Sequence, residues 1–86
     1  MKLTTQQLQK TEKDLQIFRR QREKLLLYIE ETKAYIEEIT AQIDKYPDDV
    51  ELPKALAVTN QILAAKYVEL SQINLKISGA EYILEQ

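Results

Sequence analysis

Apolar positions along this chain recur in steps of three and four, in two long runs separated by a short break. The first run reads Leu8, Thr11, Leu15, Phe18, Arg22, Leu25, Ile29, Thr32, Ile36, Ile39, Ile43 and Tyr46. The second reads Leu52, Leu56, Thr59, Leu63, Lys66, Leu70, Ile73, Ile77, Ala80 and Leu84. Residues three and four apart share one face of a helix, and their average spacing of about 3.5 is the coiled-coil repeat. Each run therefore predicts a helix with one apolar stripe. Between them lies Tyr46-Pro47-Asp48-Asp49-Val50-Glu51-Leu52-Pro53. Proline disfavours helical geometry in the residue before it, so Pro47 ends the first helix at Tyr46. Pro53 is tolerated in the first turn of a second helix, where its missing amide has no helical partner anyway. The expected fold is all-α: an antiparallel two-helix coiled-coil hairpin, with a helix over 4–45, a loop over 46–52 and a helix over 53–85, all within one domain of residues 1–86.

Local signals refine the ends. Thr4 followed by Gln7 matches a capping box, in which each side chain reaches the other's backbone amide. The aspartates of the break suit the start of the second helix. Gly79 costs about 1 kcal/mol relative to alanine inside a helix, yet Ala80, Ile83 and Leu84 keep the period, so the second helix is expected to run through it. A short connection pairs residues whose numbers sum to about 98–102. Ile43 then faces Leu56 or Thr59, Ile36 faces Leu63 or Lys66, Leu25 faces Ile73 or Ile77, and Phe18 faces Ala80 or Leu84. Residues 1–12 overhang, leaving Leu3 and Leu8 without a partner in the hairpin. Arg22, Thr32 and Lys66 fall in the stripes; long stems lying along the seam with charged heads in water account for the two bases.

The second helix carries a further apolar strip on its far side. Ala57, Ala64, Ser71 and Ser78 recur every seven residues, with Val58, Ala65, Val68, Leu75 and Tyr82 beside them. Ile17, Leu27, Ala34 and Ala41 make a fainter version on the first helix. A helix in an isolated hairpin should be polar there, so this strip predicts a further partner helix. Length points the same way: 86 residues without cysteine make a small domain with no disulfide to support it, and such domains commonly associate. A homodimer of hairpins, forming a four-helix bundle, is the expected remedy. The interface is expected to involve Ala57, Ala64, Val68, Ser71, Leu75 and Tyr82, together with Leu3 and Leu8.

Charge adds an asymmetry that the net value of −2 conceals. Residues 1–25 carry seven basic and three acidic side chains, a net of +4; residues 26–52 carry two basic and eight acidic, a net of −6. The open end of the hairpin is basic and its closed tip acidic. Placing acids late in a helix opposes its dipole, which suggests that the split serves pairing between molecules with opposite ends adjacent.

Chemistry is thin. Without histidine or cysteine the chain lacks the usual general base, thiol nucleophile and transition-metal ligands. The glutamate pairs 30/31 and 37/38 read as solvated charge rather than a metal site. No enzyme activity, cofactor or metal is expected. Composition is 44% hydrophobic and 30% charged, which fits a folded rather than a disordered chain. The start has no signal-like apolar core, and the longest apolar run, Leu25–Ile29, is far too short to span a bilayer. The expectation is a cytoplasmic protein with no membrane contact. Two functions compete. One is a non-enzymatic protein–protein interaction module, such as an adaptor, small chaperone or inhibitory binder, paired with itself and with another protein. The other is a nucleic-acid-binding accessory protein using Arg19, Arg20, Arg22 and Lys24, which Glu23 interrupts and the acidic tip opposes.

Overall fold

The structure is a computed structural model, and it describes residues 3–86. Helix α1 spans Thr5–Lys45 and helix α2 spans Glu51–Glu85, folded back on each other as a hairpin. The hairpin is a rod of 65 × 16 × 14 Å, the length expected of α1 at about 1.5 Å per residue. Among the described residues there is no strand, and no helix is long and apolar enough to cross a membrane.

The ends of the helices follow from a few polar contacts. The Thr4 amide donates to Gln7 Oε1 at 2.8 Å and the Gln7 amide donates to Thr4 Oγ1 at 3.1 Å. This closes the capping box and satisfies two amides that have no helical partner. At the far end Tyr46 leaves helical geometry at φ −125°, ψ 70°, and its amide makes a last bond of 2.7 Å to the Gln42 carbonyl. The chain then turns sharply. The Asp49 amide donates to the Tyr46 carbonyl at 3.1 Å, and Asp49 Oδ1 accepts from the Glu51 amide at 2.9 Å. With that amide satisfied, α2 begins at Glu51, within the span from Asp49 to Pro53 that the aspartates and proline mark out, and the loop is 46–50, shorter than the expected 46–52. Pro53 sits in the first turn, where it removes no helical bond.

Both stripes turn inward. Every position in them is buried or half-buried except Tyr46, which lies beyond α1 and is exposed. Burial is deepest at Ile29 and Ile77, each 2% exposed, with Leu15, Leu25, Ile39 and Ala80 close behind. Ile36 and Leu63, mid-seam in the expected alignment, are only half-buried. At the open end Leu15, Ile77 and Ala80 form a core cluster, with Phe18, Ile73 and Leu84 packed against it. Phe18 thus keeps its expected neighbourhood. Leu15 meets residues about a turn nearer the loop than the expected alignment gives, in the direction the shorter loop requires.

Polar stripe positions are accommodated without orphans. Thr32 and Thr59 are buried, and their hydroxyls donate to the carbonyls of Tyr28 (2.8 Å) and Ala55 (2.7 Å), four residues back. Lys66 lays its stem in the seam while its ammonium reaches Glu69 at 3.2 Å and lies 5.1 Å from the Tyr28 ring centroid. Arg22 donates from Nη1 to Asn74 Oδ1 at 3.4 Å. No buried side-chain nitrogen or oxygen lacks a partner among the described residues.

Gly79 lies within the unbroken α2, as its flanking period implied. A methyl group added there would meet nothing within 4 Å. Glycine at this position costs helix stability of about 1 kcal/mol relative to alanine, with no compensating contact in the hairpin. Of the expected overhang 1–12, residues 1 and 2 lie outside the described residues; Leu3 and Leu8 are half-buried.

Candidate interaction surface

Helix α2 has two apolar sides. One is the seam. On the other, Ala57, Ala64 and Ser71 are exposed, beside Val68 (58% exposed), Leu75 (72%) and Tyr82 (65%). Val58, Ala65, Ser78 and Gly79 share this outer face with the uncharged polar Gln61 and Gln72, and all are exposed as well. The charges of α2 explain why the face stays apolar. Between Ala57 and Ala80 only Lys66, Glu69 and Lys76 are charged, and they lie along the border with α1. Lys66 pairs with Glu69, and Lys76 stands 5.7 Å from the Phe18 ring centroid. The sequence thus draws charge toward the seam and leaves the opposite side uncharged for roughly seven helical turns. A two-helix hairpin in water has no internal use for such a face.

Helix α1 is different. Ile17 and Leu27 are exposed on its outer side, but Lys13 and Arg20 share that side with them, and Ala34 and Ala41 are flanked by glutamates. What α1 presents is the charge split. Arg19, Arg20 and Lys24 are exposed in the half near the open end, and Glu30, Glu31, Glu37 and Glu38 are exposed in the half near the loop.

The basic segment does not form a continuous row. Arg19 reaches across the seam to Glu81, Nη2 to Oε2 at 3.7 Å, with both side chains about half exposed. Arg22 is turned to Asn74. Arg20 and Lys24 remain exposed on the outer side of α1. Two of the four bases are therefore drawn to α2 rather than aligned along a phosphate backbone.

Sequence reasoning missed the apolar side chains that border the seam. Leu26, Ile62 and Tyr67 are exposed there, and stripe spacing alone assigns them to neither face. Tyr28, Tyr35 and Ile62 flank a shallow groove over Thr32 and Thr59, but both hydroxyls already have partners in their own helices. On the opposite border Lys33 lies 5.9 Å from the Tyr67 ring centroid and 3.5 Å from Glu30. Tyr67 first, and Glu30 second, hold its ammonium above the ordinary lysine value, so it is charged throughout the neutral range. Among the described residues no group of histidine, cysteine, aspartate or glutamate could hold a metal ion.

No protein-family model, curated protein or solved structure matches this chain.

Proposed function

We propose that this chain is a non-enzymatic protein–protein interaction module, a coiled-coil hairpin that pairs with a second copy as a four-helix bundle. In that form it acts on another protein as an adaptor, small chaperone or inhibitory binder. The observation that carries this reading is the uncharged outer face of α2, from Ala57 to Tyr82. Burying a side chain such as Val68 or Leu75 stabilises a complex by about 1.5–3 kcal/mol. A hairpin that offers each helix a single seam has little stability to spare. Self-association covers the wet face and enlarges the core in one step.

Salt separates this reading from the nucleic-acid reading through Arg19, Arg20, Arg22 and Lys24. Apolar helix docking persists at high ionic strength, whereas phosphate binding weakens steeply. Light scattering on the chain from low to molar salt should show a dimer throughout. A labelled DNA duplex titrated at physiological salt should show no saturable binding. A monomer that binds the duplex, with affinity falling steeply as salt rises, would replace the interaction reading with the nucleic-acid one.

A further inference from the structure

We infer that the edge of the seam carrying Tyr28, Glu31, Tyr35 and Glu38 docks a helix of the protein on which this chain acts, and that this helix presents two arginine side chains one heptad apart. This deepens the reading above and rests on it, but it uses a surface that pairing leaves free. The outer face of α2 points directly away from α1, so pairing through α2 leaves the charge of α1 uncovered.

A repeated heptad builds this edge. Tyr28-Ile29-Glu30-Glu31-Thr32-Lys33-Ala34 is followed directly by Tyr35-Ile36-Glu37-Glu38-Ile39-Thr40-Ala41. Residues seven apart return to the same side of a helix, about 10.5 Å along it. The tyrosine and the second glutamate of each heptad therefore line up on one edge of α1. Tyr28 and Tyr35 are exposed there and, with Glu31, line a groove whose opposite wall is Ile62 and whose floor is Thr32 and Thr59. The groove exists because threonine is shorter than the leucine and isoleucine that fill most of the seam. Its volume of about 270 Å³ lies below the roughly 300–1,000 Å³ of small-molecule sites. It suits one inserted side chain.

Charge selects that side chain. Every lysine from Lys33 to Lys66 already has a partner within the hairpin. Lys33 turns to the opposite edge, toward Glu30 and Tyr67. Lys45 stands 5.6 Å from the Tyr46 ring centroid, and Lys54 pairs with Glu51 at 3.5 Å. Lys66 is held by Glu69 and Tyr28. Among the described residues no basic side chain pairs with Glu31 or Glu38 or stands over the Tyr35 ring. Both glutamates are exposed, and Lys24 marks the end of this acidic edge toward the open end. A guanidinium meets both needs at once, because its plane stacks on an aromatic ring while its fork of N–H donors pairs with a carboxylate. One arginine enters the groove between the two rings and donates to Glu31. The second lies one heptad along, beyond Tyr35, and donates to Glu38. A helix in register with the repeat presents both from one side, and Ile62 gives the first arginine's stem an apolar wall.

Two labelled, alanine-rich peptides of about 20 residues, long enough to be helical alone, serve as the probe. Their composition is identical. One carries its two arginines seven positions apart; the other carries them five apart, on different sides of the helix. Fluorescence anisotropy with the full chain should show the heptad-spaced peptide binding about tenfold more tightly, a gap that one further stacked and ion-paired arginine supplies. Glu31→Gln combined with Glu38→Gln should remove the preference, and so should Tyr35→Leu, which keeps an apolar side chain without the ring. All three side chains are exposed, and circular dichroism checks that the helices stay intact. Val68→Glu should keep the preference, because the groove lies within one hairpin. Equal binding of the two peptides, or a preference that survives the glutamate and tyrosine substitutions, would overturn this docking edge; the paired hairpin would still stand wherever light scattering shows a dimer. Loss of the preference in Val68→Glu would place the peptide on the outer face of α2 and overturn the edge as well. Equal binding by a chain that scatters as a monomer would overturn both the edge and the reading on which it rests.

Discussion

Val68→Glu or Leu75→Glu is expected to split the dimer into single hairpins while leaving most of the helix intact. In the hairpin both side chains project into solvent, 58% and 72% exposed, so their replacement removes little intramolecular packing. Glutamate is also a better helix former than valine. In the paired form the same positions become buried, and two-fold symmetry buries the new carboxylate twice. An unpaired buried charge typically costs at least about 3 kcal/mol, which is more than a hundredfold in dissociation constant. Light scattering and circular dichroism at the same concentration read the two effects separately. A dimer of unchanged affinity would place the interface elsewhere. A large loss of helix would mean that this face supports the hairpin itself.

Truncation of the seam acts the other way, on the hairpin before the dimer. Ile29→Ala and Ile77→Ala each remove a side chain that is 2% exposed. Large-to-small changes at such sites destabilise by about 2–5 kcal/mol, a large share of the few kcal/mol available to a domain of this size. Ile36→Ala and Leu63→Ala should cost clearly less, because both side chains are half-buried. Urea titrations of the four variants give the ordering through their midpoints. If Ile36→Ala costs as much as Ile29→Ala, something besides α2 covers Ile36.

The seam was legible because its physics is periodic. Burial of one helix face against another demands steps of three and four, and every stripe position from Leu8 to Ile43 and from Leu52 to Leu84 is at least half-buried. The breaks were legible from Pro47, and the first cap from Thr4 and Gln7, since these act within a few residues. Other features depend on geometry that spacing does not encode. The start of α2 at Glu51 depends on the Asp49 carboxylate reaching one amide, which happens only once the turn has closed. The register follows from that turn. Depth of burial within the stripe, Ile29 against Ile36, depends on how the facing side chains interlock. The pairing of Arg19 with Glu81 joins residues far apart in sequence, so the spacing of the basic segment does not reveal which of its bases turn toward α2. The outer face of α2 was legible as a second seven-residue repeat. That its few charges are gathered at the seam emerged only from their contacts.

Small-angle X-ray scattering on the unmodified chain, at tens of micromolar, tests the paired hairpin most directly because it reads mass and shape together. Side-by-side pairing predicts twice the chain mass of 10.1 kDa, with a longest dimension still set by the 65 Å rod. A scattering mass of one chain, with a radius of gyration near the 19.3 Å of the single hairpin, would contradict it.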